Sequence, residues 1–133
     1  MSRDWKAAFR YARSLFLLAK EKGTLAEREQ EMHGILDFAR NHPEFSRLLV
    51  TTNLAYSEKE ALIENLLGFA SEETRSFLKL LVRKNRYPLF ERMVEDFHRL
   101  FNEAQGIEEA LAVSPYPLGQ ETEEEIKRML EKK

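Results

Sequence analysis

The stretch Tyr11–Gly23, YARSLFLLAKEKG, decides the fold. It is a helical pattern that stops on a glycine, the residue best suited to the left-handed position just past a helix C-terminus. At 100° per residue, a first helix from about Asp4 to Lys22 gathers Trp5, Ala8, Phe9, Ala12, Leu15, Phe16 and Ala19 within roughly one third of its circumference. That is a core face, and its alanines let a neighbouring helix come close. Tyr11 and Leu18 fall beyond its Leu15 edge, one heptad apart, and Leu17 belongs to neither set. The stretch therefore carries more apolar surface than one buried face uses.

Working outward, helical spacing continues almost throughout. Thr24 and Glu27 have capping-box spacing and open a second helix with the stripe Leu25, Met32, Ile35, Leu36, Ala39. Pro43 sits in the first turn of a short third helix, Glu44–Val50. Ser57 and Glu60 predict the start of a fourth, which Gly68 ends. Ser71 caps a fifth, TRSFLKLLVRKNR, with Glu72 and Glu73 well placed against its dipole. Pro88 starts a sixth, with the stripe Leu89, Phe90, Met93, Val94, Phe97, Leu100, Phe101 and Ala104, closed by Gly106. Beyond it, Ile107, Leu111 and Val113 alternate and predict a short strand, PYPLG a turn, and Thr122 onward a last helix burying Ile126, Met129 and Leu130. The expected fold class is all-α: a six-helix bundle over residues 1–105, then a partial α/β C-terminal region over 106–133, too small for a core of its own.

Bulk properties exclude several function classes. The 133 residues carry a formal net charge of −2, so charge alone does not draw the chain to nucleic acid or an anionic membrane. There is no cysteine, which excludes disulfides, thiolate zinc sites and thiol nucleophiles. No apolar run approaches the roughly 20 residues of a membrane span, and the N-terminus has no apolar core of a secretory signal.

Catalytic motifs are missing too. His33, His42 and His98 lie in no recognised ligand pattern and read as solvated or half-buried side chains, so no metal, cofactor or catalytic residue is expected. The glycines Gly23, Gly34, Gly68, Gly106 and Gly119 are isolated and make no phosphate loop. Carboxylate-rich stretches such as AEREQEM read as solvated helix faces. The basic set Arg75, Lys79, Arg83, Lys84 and Arg86 suits a helix C-terminus, and leaves a stand-alone nucleic-acid-binding or regulatory module as the alternative reading.

What remains is surplus apolar surface. On helix five, Thr74, Phe77, Leu78, Leu81 and Val82 form a core face, and Leu80 lies about 60° outside it, beside Lys84 and Ser76. Either neighbouring helices cover these flanks, or Tyr11, Leu18 and Leu80 border an exposed groove for an amphipathic partner helix.

Several stretches resemble one family in order and spacing. They are YARSLFLLAKEKGTLAEREQEM, NHPEFSRLL, SEKEALIENLLG, SEETRSFLKLLVRKNR and FERMVEDFHRLFNEAQGIEEALAVSPYPL. The family is the delta subunit of F-type ATP synthases, called the oligomycin-sensitivity-conferring protein in mitochondria. The resemblance covers essentially all 133 residues and rests on the ordered series rather than on any one motif. It implies a non-catalytic stator subunit on the cytoplasmic face of a bacterial inner membrane, or the matrix or stromal side in an organelle, with no cofactor. Its expected partners are the N-terminal helices of the alpha subunits, gripped between helices one and five, and the b subunits of the peripheral stalk. Matched to the family, Tyr11 and Leu80 are groove positions, and helical geometry adds Leu15, Leu18, Phe77 and Lys84. Family members continue through a TGKK-like strand and a glycine-rich end. This chain stops at LEKK, which implies a shortened form and puts b-subunit binding in question.

Overall fold

The structure, a computed structural model, describes residues 3–112 and Arg128. The chain forms α1 (Arg3–Lys22), α2 (Leu25–Asn41), α3 (Pro43–Val50), α4 (Tyr56–Leu66) and α5 (Glu72–Arg83), then a 3-10 turn (Tyr87–Leu89) and α6 (Phe90–Ala112). Among the described residues there is no strand.

The core assembles where the apolar stripes meet. On α1, Ala8, Ala12 and Ala19 have no exposed surface, and α1 packs chiefly on α6. Small side chains at that contact bring the two backbones together, so packing attraction is gained along much of both helices. Phe16 meets Phe97 edge-on, with ring centres 5.9 Å apart. Met32, Ile35 and Leu36 of α2, Phe45 and Leu49 of α3, Ile63 of α4 and Leu78, Leu81 and Val82 of α5 complete the same cluster. Tyr87 of the 3-10 turn stacks on Phe90 and shares a 2.7 Å hydrogen bond with Ser46. Burial pushes the Tyr87 phenol up from its ordinary value, against the opposing effect of that bond.

Two helix ends use one motif. After α1, Gly23 takes φ 72°, and the N–H groups of Gly23 and Thr24 donate to the carbonyls of Lys20 and Ala19. After α5, Asn85 takes φ 59°, and Asn85 and Arg86 donate to Val82 and Leu81 in the same crossed pattern. Both are Schellman caps, with asparagine standing in for glycine the second time. Helix five accordingly stops at Arg83, short of the expected KNR.

Other boundaries move for local reasons. Thr24 makes no cap to α2, because its hydroxyl accepts from Arg28 and lies 3.5 Å from the Ala19 carbonyl. Helix α4 starts at Tyr56, where Glu58 accepts from the Ala55 N–H in place of the expected Ser57–Glu60 box. Trp5 and Phe9, expected in the core, are 48% and 38% exposed. Opposite them α6 presents Arg92, buried Asp96 and Arg99, and Arg92 lies over the Trp5 ring at 4.5 Å. The rings there shield ion pairs rather than fill the core.

The largest correction lies at the end of α6. The predicted strand from Ile107 does not form: residues 107–112 are helical, and α6 runs unbroken through Gly106. Gly106 has no positive φ, so it does not act as a stop. Ile107, Ala110 and Leu111 stand at i, i+3 and i+4, which serves a helix as well as the alternation serves a strand. Val113, the PYPLG turn and the last helix lie outside the described residues apart from Arg128. A β-carbon added at Gly106 meets nothing within 4 Å. Gly106→Ala is therefore expected to raise stability by ~0.5–1 kcal/mol in denaturant unfolding. A loss of stability would instead indicate a left-handed cap at this position.

Candidate docking groove between helices α1 and α5

The residues flagged as surplus sit on two helices that touch little. Helix α1 packs chiefly on α6, and α5 chiefly on α4. Midway along, α1 and α5 meet through rings: Tyr11 meets Phe77 edge-on at 6.4 Å, both half-buried. At one end Lys22 reaches Glu73 at 3.3 Å, and at the other Arg86 shares a cleft with Asp4, Ala7 and Arg10. That order of contacts makes the two helices antiparallel. Leu18 then lies toward the Glu73 end and Leu80 toward the Arg86 end, on either side of the Tyr11–Phe77 pair.

The six expected groove residues divide by exposure. Leu18 and Leu80 are 38% and 40% exposed, large apolar side chains left in water. Tyr11 and Phe77 form a half-buried bridge between them. Leu15 is buried in the bundle's core and offers a partner no surface. Lys84 is exposed and caps α5, its N–H donating to the Leu80 carbonyl. Leu17, which the helical wheel left without a role, lines a cleft of about 850 Å³ with Phe101, Ala104 and Ile107 on another side of α1.

Helix α5 is held in place by a polar clamp at its first turn. The Arg28 side chain is buried and donates to Glu31 and Ser71, both at 2.6 Å, to Thr74 and Glu73, both at 2.9 Å, and to Thr24 at 3.2 Å. Ser71 caps α5, its hydroxyl accepting from the Thr74 N–H, and its own N–H donates to Glu31 at 2.7 Å. Sequence reasoning found the Ser71 cap and missed Arg28. The residue lies outside the α2 apolar stripe and reads as one more charge in AEREQEM.

The basic set of α5 is largely engaged. Lys79 hydrogen-bonds Glu64, and Arg75 reaches the same carboxylate at 3.4 Å. Those contacts, the Lys79 bond first, hold the Glu64 carboxyl below its usual range. Arg83 lies over the Tyr56 ring at 4.6 Å. Lys84 and Arg86 remain exposed, too few for a phosphate-tracking stripe. All three histidines also find an acidic partner that the sequence reading did not give them, His42 through Glu44 at 3.5 Å. His33 and His98, on different helices, converge on Glu29.

The family model described as ATP synthase delta (OSCP) subunit matches residues 7–133. The chain belongs to that family. An ATP synthase subunit delta of Geobacillus sp. is 33% identical over 126 residues, covering 95% of this chain and 71% of the relative. The corresponding subunit of Alkalihalophilus pseudofirmus is 35% identical over 127 residues, covering 95% and 70%. That of Lactobacillus gasseri is 29% identical across all 133 residues and 72% of its own length. Among the described residues no helix is long and apolar enough to cross a membrane.

The clamp makes a pH prediction. Burial alone would raise the Glu31 pKa, but hydrogen bonds from Thr74, the Ser71 N–H and Arg28 outweigh it and hold the carboxyl below its ordinary value. A lowered folded-state pKa contributes stability above the unfolded value, lost as pH falls through the folded one. Glu31→Gln is expected to lower the melting temperature by roughly 3–6 °C at pH 7, with the gap to the parent closing below about pH 4. A gap that stays constant from pH 7 to pH 3 would refute the assignment.

Proposed function

We propose that the chain is a non-catalytic stator subunit of the peripheral stalk of an F-type ATP synthase. Membership of the delta family supports the subunit assignment. The groove assignment rests on one observation: Leu18 and Leu80 stand exposed on either side of the Tyr11–Phe77 bridge. An amphipathic helix fits such a surface. Its apolar face would cover both leucines and stack on the bridge, and Lys84 would meet an acidic residue at the rim. In this reading the occupant is an N-terminal helix of an alpha subunit.

The role follows from mechanics. A stator part resists torque; it performs no bond chemistry and needs no nucleophile, metal or cofactor. It needs one firm hold on the catalytic head and one on the stalk. Residues 1–105 take the first part in this reading, and residues from 106 onward lead toward the b subunits. The subunit works at the membrane as a peripheral part of the complex, on the cytoplasmic side in a bacterium.

A synthetic peptide of the alpha-subunit N-terminus is expected to bind the 133-residue chain in calorimetric titration. Tyr11→Ala and Leu80→Asp are each expected to weaken it by about 1 kcal/mol or more while leaving the thermal melt cooperative. If both variants bind like the parent, the groove lies elsewhere.

A further inference from the structure

We propose that Glu29, His33 and His98 form a binding site for one divalent transition-metal ion, zinc by the chemistry of its donors, which clasps α2 to α6. Glu29 and His33 are one helical turn apart on α2, and His98 comes from α6. The His33 Nε2 lies 2.8 Å from Glu29 Oε1, and the His98 Nδ1 hydrogen-bonds the same oxygen. The two imidazoles stand at 88° with centres 5.2 Å apart, so their nitrogen-bearing edges converge. One ligand atom from each residue lies within 4.8 Å of the other two. Zinc bonds of ~2.0–2.1 Å put tetrahedral ligand atoms about 3.4 Å apart, within reach of small side-chain rotations here.

The donor set selects the ion. One carboxylate oxygen and two imidazole nitrogens match three-ligand zinc sites that keep a position for water. Two imidazoles argue against magnesium and calcium, and the lack of thiolates argues against copper(I). Glu29 is buried while the side chains of His33 and His98 are 46% and 49% exposed, so the carboxylate forms the floor and the open position faces solvent.

The surroundings already orient one ligand. The Asn102 side-chain amide lies 3.1 Å from His98 Nε2, one turn further along α6. With Nδ1 on a metal, Nε2 keeps its proton and needs an acceptor. A flip of the amide presents Oδ1 there, the outer contact typical of metal-bound histidine. Without metal, both rings donate N–H groups to one carboxylate oxygen. Metal binding replaces those bonds and removes the protons between the groups, so it weakens as pH falls. The site uses α2 and α6 and is independent of the groove between α1 and α5.

The untagged, EDTA-treated protein is titrated with zinc chloride by calorimetry, with thermal melts in parallel. The expected result is one zinc per chain and a melting temperature that rises with zinc. His33→Gln and His98→Gln are each expected to weaken binding by about 100-fold or more, and Asn102→Ala by about 10-fold, while His42→Gln binds like the parent. Both ring substitutions fall on half-exposed side chains, and the zinc-free melts check that the variants fold. No binding up to about 1 mM zinc, or binding that survives in either His33→Gln or His98→Gln, overturns the proposal.

Discussion

A buried guanidinium sets the spacing of this bundle. Arg28 is 3% exposed, and its burial is tolerable because acceptors meet its terminal nitrogens, although its Nε has no partner. Its terminal nitrogens reach acceptors from two sides. Thr24 and Glu31 come from the start of α2, and Ser71, Glu73 and Thr74 from the start of α5. Those contacts are short and directional, unlike apolar packing. They fix where α5 begins and in which direction it leaves α2. Lys22 adds a second cation at 3.3 Å from Glu73, tying the end of α1 to the same turn. The N-terminus of α5 is thereby anchored, and the rest of that helix leans on α4.

The consequence is a gap. With α1 committed to α6 through its alanine face, and α5 committed to α2 and α4, neither closes on the other. One aromatic contact, Tyr11 on Phe77, spans them. Large apolar side chains on both flanks stay in water, which costs solvation free energy unless something covers them. The same sequence buries Leu15 completely enough to serve the core, only four residues from Tyr11 and three from Leu18. Helix α1 is thus divided along its length into a face that holds the bundle together and a flank available to a partner.

Much of this was legible in the sequence, for identifiable reasons. Helix positions follow from apolar spacing, and the stop at Gly23 and the start at Ser71 follow from backbone chemistry that works over four or five residues. The excess on helices one and five was visible because a 3.6-residue repeat leaves Tyr11, Leu18 and Leu80 outside the stripe. What escaped depends on contacts distant in sequence. Arg28 finds Ser71 and Thr74 some forty residues away, and His98 is separated from Glu29 by 69 positions. Trp5 and Phe9 have the right period for a core and the wrong neighbours, since α6 meets them with Arg92 and Asp96. Thr24 has the right spacing for a cap, but the nearby guanidinium takes its hydroxyl. The strand expected after Gly106 rests on the alternation of Ile107, Leu111 and Val113, a pattern too short to tell from the helical spacing of Ile107, Ala110 and Leu111.

The continuity of α6 matters for a part that carries load. Its 23 residues span about 34 Å as one rod. Along that rod it packs on both α1 and α2, with Phe97 closed against Phe16. A break at Gly106 would place a flexible joint at the end of the bundle, and torque applied beyond it would bend the joint before reaching the core. An unbroken helix passes force directly into the α1–α6 contact, whose close-packed alanines resist sliding. Helix α1 is also the helix that presents Tyr11 and Leu18. A pull along α6 therefore reaches the helix bearing Tyr11 and Leu18 through one helix–helix interface, without crossing a loop. In the proposed stator role, that path joins the helix leading out of the bundle to the helix bearing Tyr11 and Leu18 without a loop between them.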